Sequence, residues 1–158
     1  MDFNFNSDDK TFYFATRETT LQDPTYRYRY NEPEISVIGK KGNKTTYFEN
    51  SEYYSSILEL PSEYFAKYMA GRLSCSHNFD NEKKCQTFKG DFSQDQIKKF
   101  FFEFVQTYKI CKSCDYPEAV IEKNEKKNLI KRCNSCGNQS DINYKSTDKS
   151  YDFIVKKL

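Results

Sequence analysis

The clearest periodicity in this chain lies between residues 92 and 108. Ile97, Phe100, Phe101, Phe104, Val105 and Tyr108 recur at the three- and four-residue spacing that gathers apolar side chains on one helix face. Ser93 and Gln96 match the S-x-x-Q capping box, and Phe92 and Ile97 stand where a hydrophobic staple would fix the entry of the chain. The aromatic stripe is read as core, packed on a sheet made by the preceding strands. Those strands are short. Residues 35–38 and 44–48 flank a Gly39-Lys40-Lys41-Gly42-Asn43 turn, and residues 84–89 form a third strand ended by Gly90. Helices are predicted over 51–60 and 62–69, divided by Pro61. Tyrosine and arginine alternate from Tyr26 to Tyr30 between Pro24 and Pro33, which predicts an extended segment. Residues 1–22 are polar with scattered aromatics and read as an arm or edge strand. After Cys114, residues 120–122, 128–132, 141–144 and 151–155 are strand candidates.

Composition modifies this picture in one respect. Charged residues make up 30% of the 158 positions, yet 14 Phe and 13 Tyr supply the bulk for a packed core. Mean hydropathy is −0.92. The formal net charge of +2 is too small to argue for nucleic acid by itself. No apolar run reaches the length of a signal peptide or a membrane span, so a cytoplasmic or nuclear protein with reduced thiols is expected.

In that setting, two matched cysteine pairs dominate the chemistry. Cys111 and Cys114 form one C-x2-C and Cys133 and Cys136 another, at the separation of a four-cysteine zinc site. A tetrahedral Zn²⁺ held by four thiolates would supply folding energy that so polar a segment lacks, on the order of 10–16 kcal/mol in zinc-finger peptides. Cys75 and Cys85 are read as buried small apolar residues. His77 is read as a surface loop residue, since the two pairs already complete a tetrahedron. Lys123, Lys126, Lys127, Lys131 and Arg132 form a basic cluster. It is either the solvated hairpin between the knuckles or a phosphate contact. The expected architecture is α+β: a polar arm over 1–22, a small α/β domain with a mixed sheet and packed helices over 23–109, and a zinc ribbon over 110–158.

Three stretches resemble the domain shared by eukaryotic translation initiation factor 5 and the beta subunit of initiation factor 2. The first is Cys111-Lys112-Ser113-Cys114-Asp115-Tyr116-Pro117-Glu118 with Arg132-Cys133-Asn134-Ser135-Cys136-Gly137. The second is the amphipathic helix before Cys111, and the third is Tyr64-x-x-Lys67-Tyr68 after Pro61. Asp23-Pro24-Thr25-Tyr26-Arg27-Tyr28-Arg29 is similar to the initiation factor 5 branch. The match has departures: Ala70 replaces a family glycine, Arg72-Leu73-Ser74-Cys75-Ser76 replaces Glu-Leu-Gly-Ala-Gln, and Asp148-Lys149 replaces His-Lys. Initiation factor 5 also continues into a helical-repeat domain, so this chain is either a fragment or a minimal version.

The resemblance implies a protein that stimulates GTP hydrolysis by initiation factor 2 on the small ribosomal subunit, with no self-contained active site. Arg27 is then the candidate finger supplied in trans, with Lys44 and Lys67 in support. Its plainer reading is an exposed arginine lying over aromatic rings, and that of the lysines is a solvated charge. The implied partners are the gamma subunit of initiation factor 2 with GTP and initiator tRNA, and the small subunit with its RNA. A free monomer and no membrane are expected. The alternatives are a non-catalytic binding module of the same family, akin to the beta subunit or competing with the full-length factor, and a nucleic-acid-binding zinc ribbon.

Overall fold

The computed structural model describes residues 5–6, 11–17, 22–23, 25 and 28–158. Along the chain run β1 (Phe5–Asn6), β2 (Thr11–Tyr13), β3 (Arg29–Asn31), β4 (Ile35–Lys40) and β5 (Asn43–Phe48). Helices α1 (Ser51–Leu58) and α2 (Ser62–Leu73) follow, then β6 (His77–Asp80), β7 (Cys85–Lys89) and α3 (Gln94–Tyr108). The chain closes with β8 (Ala119–Lys123), β9 (Leu129–Cys133), β10 (Gln139–Asp141) and α4 (Tyr151–Lys157). It divides into two compact units, residues 1–32, 102–144 and 155–158 in one, and residues 33–101 and 145–154 in the other. The α+β class is as expected. Among the described residues, no helix is long and apolar enough to cross a membrane.

The unit containing residues 33–101 is built on a four-stranded sheet in the order β4-β5-β7-β6. The expected mixed sheet is antiparallel in all three pairings. The reason is local: β4 and β5 are joined by a hairpin, as are β6 and β7, and the two helices carry the chain from β5 to β6, which runs in the direction of β5, so that β7 returns antiparallel between them. Gly39 makes the first hairpin possible. Its φ is 128°, and a Cβ there would lie 2.3 Å from the Asn43 carbonyl oxygen, so only glycine fits. Strand β6 is an addition, because His77-Asn78-Phe79-Asp80 lacks the branched alternation that marks a strand. Helix α1 ends in a left-handed Glu59 and α2 in a left-handed Ser74. The second helix runs beyond the predicted 62–69 to Leu73.

The core of this unit is aromatic. Phe48, Tyr54, Phe65 and Phe101 are all fully buried. The Phe101 ring lies 4.7 Å from Tyr54, 5.1 Å from Phe65 and 5.5 Å from Phe48 between centroids, in the tilted and edge-on arrangements that ring quadrupoles favour. The capping box at the start of α3 forms in both directions: Ser93 N–H donates to Gln96 Oε1 at 3.0 Å, and Gln96 N–H donates to Ser93 Oγ at 3.2 Å.

The expected strand over 151–155 is helical instead. Tyr151 and Ile154 are buried three residues apart, which is helix spacing, although Tyr151, Phe153 and Val155 also alternate. Asp148 receives the Ser150 N–H at 2.9 Å and its hydroxyl at 2.5 Å, and the Ile154 N–H reaches the Ser150 carbonyl at 2.8 Å, so the helix starts from an ordered turn. In the other unit, β1-β2-β3 and β10-β9-β8 form two three-stranded antiparallel sheets.

Phe101→Ala should lower unfolding stability by about 3–5 kcal/mol, because it empties the centre of the ring cluster. Tyr144→Ala, at a position 58% exposed, should stay within about 0.5 kcal/mol of wild type in the same denaturant titration.

Candidate metal centre and the segment docked on it

Helix α3 stops just ahead of the first cysteine. The N–H groups of Lys109 and Ile110 both turn back to the Val105 carbonyl, at 2.8 and 2.9 Å. Cys111 then opens a tight knuckle. Its carbonyl accepts the Asp115 N–H at 2.9 Å, and Asp115 is left-handed with φ 64°. The second knuckle repeats this plan. The Cys133 carbonyl accepts the Gly137 N–H at 2.9 Å, with Gly137 at φ 80°. Each C-x2-C thus ends on a residue that reverses the chain, and both turns aim two sulfurs inward.

The four Sγ atoms of Cys111, Cys114, Cys133 and Cys136 lie within 4.8 Å of one another. Cys111 and Cys136 approach to 3.5 Å and Cys114 and Cys133 to 3.6 Å. A tetrahedral ion with metal–sulfur bonds of about 2.3 Å needs edges of about 3.8 Å, so the set fits one metal ion. The surroundings also suit thiolates. Burial raises Cys111, but backbone N–H groups, Ser113 N–H at 3.3 Å among them, and the neighbouring thiols bring it down to about 7. Cys114 is pushed up to about 12, by burial first and then by the three thiols around it. An ion that takes four thiolates removes that competition.

The first knuckle is also an anchor. Asp115 is 1% exposed. Its carboxylate accepts the Thr16 N–H at 2.9 Å, the Thr16 hydroxyl at 2.7 Å and the Arg17 N–H at 2.9 Å, and Arg17 Nη2 donates to the Lys112 carbonyl. Phe14 and Ala15, just before, are fully buried. The Tyr28 hydroxyl donates to Glu118 Oε1, and its ring lies 5.5 Å from Tyr116. Two separate stretches of the N-terminal segment are therefore tied to the residues that follow Cys114. In sequence, Asp115 and Glu118 stand out only as motif members, with no sign of what they hold.

Comparison with known proteins gives the family of the chain. A family model, described as a domain found in initiation factors 2B and 5, matches residues 17–139. The chain belongs to this family. It is 30% identical over 138 residues to eukaryotic translation initiation factor 5 of Caenorhabditis elegans, covering 86% of this chain and 30% of that protein. It is 25% identical over 134 residues to the same factor of Saccharomyces cerevisiae, covering 85% and 33%. It is 28% identical over 114 residues to translation initiation factor 2 subunit beta of Methanoregula boonei, covering 72% and 53%. The chain spans about a third of the length of the two initiation factor 5 relatives.

Within this family domain, the candidate residues are distributed as follows. Arg27 and Tyr26 lie outside the described residues. Lys44 on β5 and Lys67 on α2 belong to the same unit. Lys44 Nζ is 3.3 Å from Asp91, and Lys67 lies 5.0 Å over the Phe153 ring. The basic cluster is not one surface. Lys131 is 2% exposed and its ammonium donates to the carbonyls of Gln106, Thr107 and Ile110 at 3.2, 3.0 and 2.8 Å. Burial lowers it to about 8. Arg132 holds Glu122 through both Nε and Nη2, at 3.2 and 3.0 Å. Lys126 and Lys127 remain exposed at the hairpin tip. His77 is not a loop residue: it sits half-buried on β6, with its Nδ1 buried and unpartnered. Cys85 is fully buried as expected, whereas Cys75 is only half-buried.

Asp115→Ala should free residues 14–17, since three donors lose their acceptor. Hydrogen exchange at Thr16 and Arg17 should rise at least tenfold, corresponding to about 1.4 kcal/mol or more of local opening energy. Unchanged exchange at both amides would show that the carboxylate does not hold the segment.

Proposed function

We propose that this chain acts as an initiation factor 5-like protein that stimulates GTP hydrolysis by initiation factor 2 on the small ribosomal subunit, in the cytoplasm. Arg27 is the finger in this reading. The observation that carries it is the Tyr28–Glu118 tie. It fixes the residue next to Arg27 on the body of the domain, as a side chain delivered to another protein's nucleotide requires. A guanidinium is always charged and donates two hydrogen bonds at once, which suits charge shifting across γ-phosphate oxygens. Such fingers contribute on the order of 10³–10⁵ in rate. Lys44 and Lys67 would give supporting phosphate contacts. The partners are the gamma subunit with GTP and initiator tRNA, and the small subunit.

The ion is zinc in this reading, and structural. Four thiolates fill a tetrahedron and leave no place for water or substrate. Its task is to hold the knuckle that carries Asp115 and Glu118.

A second reading is a non-catalytic module of the same family. The similarity to the initiation factor 2 beta subunit of Methanoregula boonei favours it. The two readings separate in one experiment. In single-turnover hydrolysis on a reconstituted initiation complex, the wild type should accelerate GTP cleavage, and Arg27→Ala should lose about 10³-fold of it while binding equally well. Tight binding of the wild type without acceleration selects the second reading.

The metal makes its own prediction. Elemental analysis should find one zinc per chain, lost in Cys136→Ser. Because thiols must shed their protons to bind it, zinc affinity should fall steeply as pH drops below neutrality, measured by competition with a chelator. Affinity that does not change with pH would exclude four thiolate ligands.

A further inference from the structure

The unit built on the four-stranded sheet leaves one edge open. Strand β4 is terminal in the order β4-β5-β7-β6 and, among the described residues, pairs only with β5. The register sets which backbone groups remain unpaired. The Glu49 N–H donates to the Glu34 carbonyl at 2.8 Å, and the Gly90 N–H to the Lys44 carbonyl at 2.8 Å. In an antiparallel ladder such bonded positions recur at every second residue. Glu34, Ser36, Ile38 and Lys40 therefore turn their backbone groups toward β5, and Ile35, Val37 and Gly39 turn theirs outward. Along the same stretch Val37 is 36% exposed and Ile38 is 48% exposed. Two adjacent branched side chains thus stand in solvent beside unpaired backbone.

Such an edge is a template for another strand unless charge, proline or a bulge blocks it. Residues 35–39, Ile-Ser-Val-Ile-Gly, carry neither charge nor proline. Their pairing with β5 is continuous from Ile35 to Lys40, so no bulge twists the edge away. The charges stand at the two ends, Glu34 before the strand and Lys40 at its close, both exposed. Among the described residues, neither forms an ion pair within the chain. Their spacing is self-complementary. Let a second β4 lie antiparallel along the edge, with a two-fold axis at Val37. Val37 then faces its counterpart, Ile35 faces Gly39 of the other copy, and Glu34 faces Lys40. Every outward-turned residue meets an outward-turned residue, so each such pair exchanges both of its N–H···O bonds. Directly opposed side chains share a face, and the axis makes the Glu34–Lys40 contact twice. Lys40, which would guard an isolated edge, becomes the partner of an acid.

We propose that the chain self-associates through the free edge of β4, the four strands of each copy joining in one continuous antiparallel sheet. Backbone bonds of Ile35, Val37 and Gly39 hold the contact, Val37 packs on its counterpart, and the two Glu34–Lys40 pairs fix the register. One pair of short strands makes a small interface, of the weak and transient class. The free monomer expected from the sequence is then one side of an equilibrium, with a dissociation constant on the order of 0.1 mM. The proposal stands or falls without the Arg27 reading.

The test is sedimentation velocity of the full chain over concentrations from about tenfold below to tenfold above that constant, with amide exchange followed by NMR on the same samples. The wild type should pass from monomer to dimer, and the amides of Ile35, Val37 and Gly39 should gain protection as concentration rises. Lys40→Glu and Glu34→Lys are exposed changes that keep every backbone bond of the hairpin. Each should weaken association about tenfold, because both end contacts become repulsive. An equimolar mixture of the two variants should associate about as well as the wild type, since each end contact again joins opposite charges. A wild type that stays monomeric at the highest concentration would overturn the proposal and leave the edge to a strand of another protein. Charge variants that associate as tightly as the wild type, or a mixture no better than either variant alone, would overturn it as well.

Discussion

Four sulfur atoms held within 4.8 Å of one another impose the main constraint on this molecule. The polypeptide places them by closing two equivalent turns, each ending on a left-handed residue. Once the first turn is set, its following residues face fixed directions, and a part-buried network grows from them. Asp115 takes residues 16 and 17; Glu118 takes Tyr28 through its side chain and the Asn134 N–H through its carbonyl, at 3.1 Å. The last contact links the first knuckle to the second. Lys109 reinforces the same joint: its carbonyl accepts the Ala119 N–H at 3.1 Å, and its ammonium donates to the Ala119 carbonyl at 2.6 Å. Opening the sulfur cluster would therefore loosen more than the ribbon. It would release the N-terminal segment in which the candidate finger lies.

Lys131 extends this network to the helix that precedes the cluster. A helix end leaves carbonyls unpaired, and a buried end must find donors for them. The chain solves this with one ammonium shared by three carbonyls, which also places a cation at the negative end of the helix dipole. Burying that cation has a cost, visible in its lowered pKa. The cost is offset only while all three carbonyls remain in place. A lysine that looks in sequence like part of a basic patch is in fact a helix cap.

What can be read from the sequence follows from the range of the interactions involved. The cysteine pairs, the capping box and the aromatic stripe are local signals, and their residues meet as their spacing implies. The Tyr151–Lys157 helix is ambiguous in sequence because Tyr151, Phe153, Ile154 and Val155 fit both periods, and the Asp148–Ser150 turn that decides the matter is a weak signal there. Strand β6 is hidden because its stability comes from pairing with β7, not from its own residues. The roles of Asp115 and Glu118 rest on partners as much as 99 residues away in sequence, which no window of neighbours displays.

The same logic sorts the basic residues by what it would take to recruit them. Lys131 would leave three carbonyls bare, and Arg132 would surrender a two-point grip on Glu122. Lys44 and Lys67 are held differently. The Lys44–Asp91 pair is exposed on both sides, at 38% and 60%, where such pairs contribute about 0–1 kcal/mol. Lys67 over Phe153 is a half-buried cation–π contact, about 0.5–1 kcal/mol at exposed sites. A phosphate oxygen gives more than either when it accepts a charge-assisted hydrogen bond. Both lysines can thus change partner at small cost while the scaffold stays intact. Supporting contacts to a nucleotide or to RNA require this property, and Lys131, buried beside the sulfur cluster, lacks it.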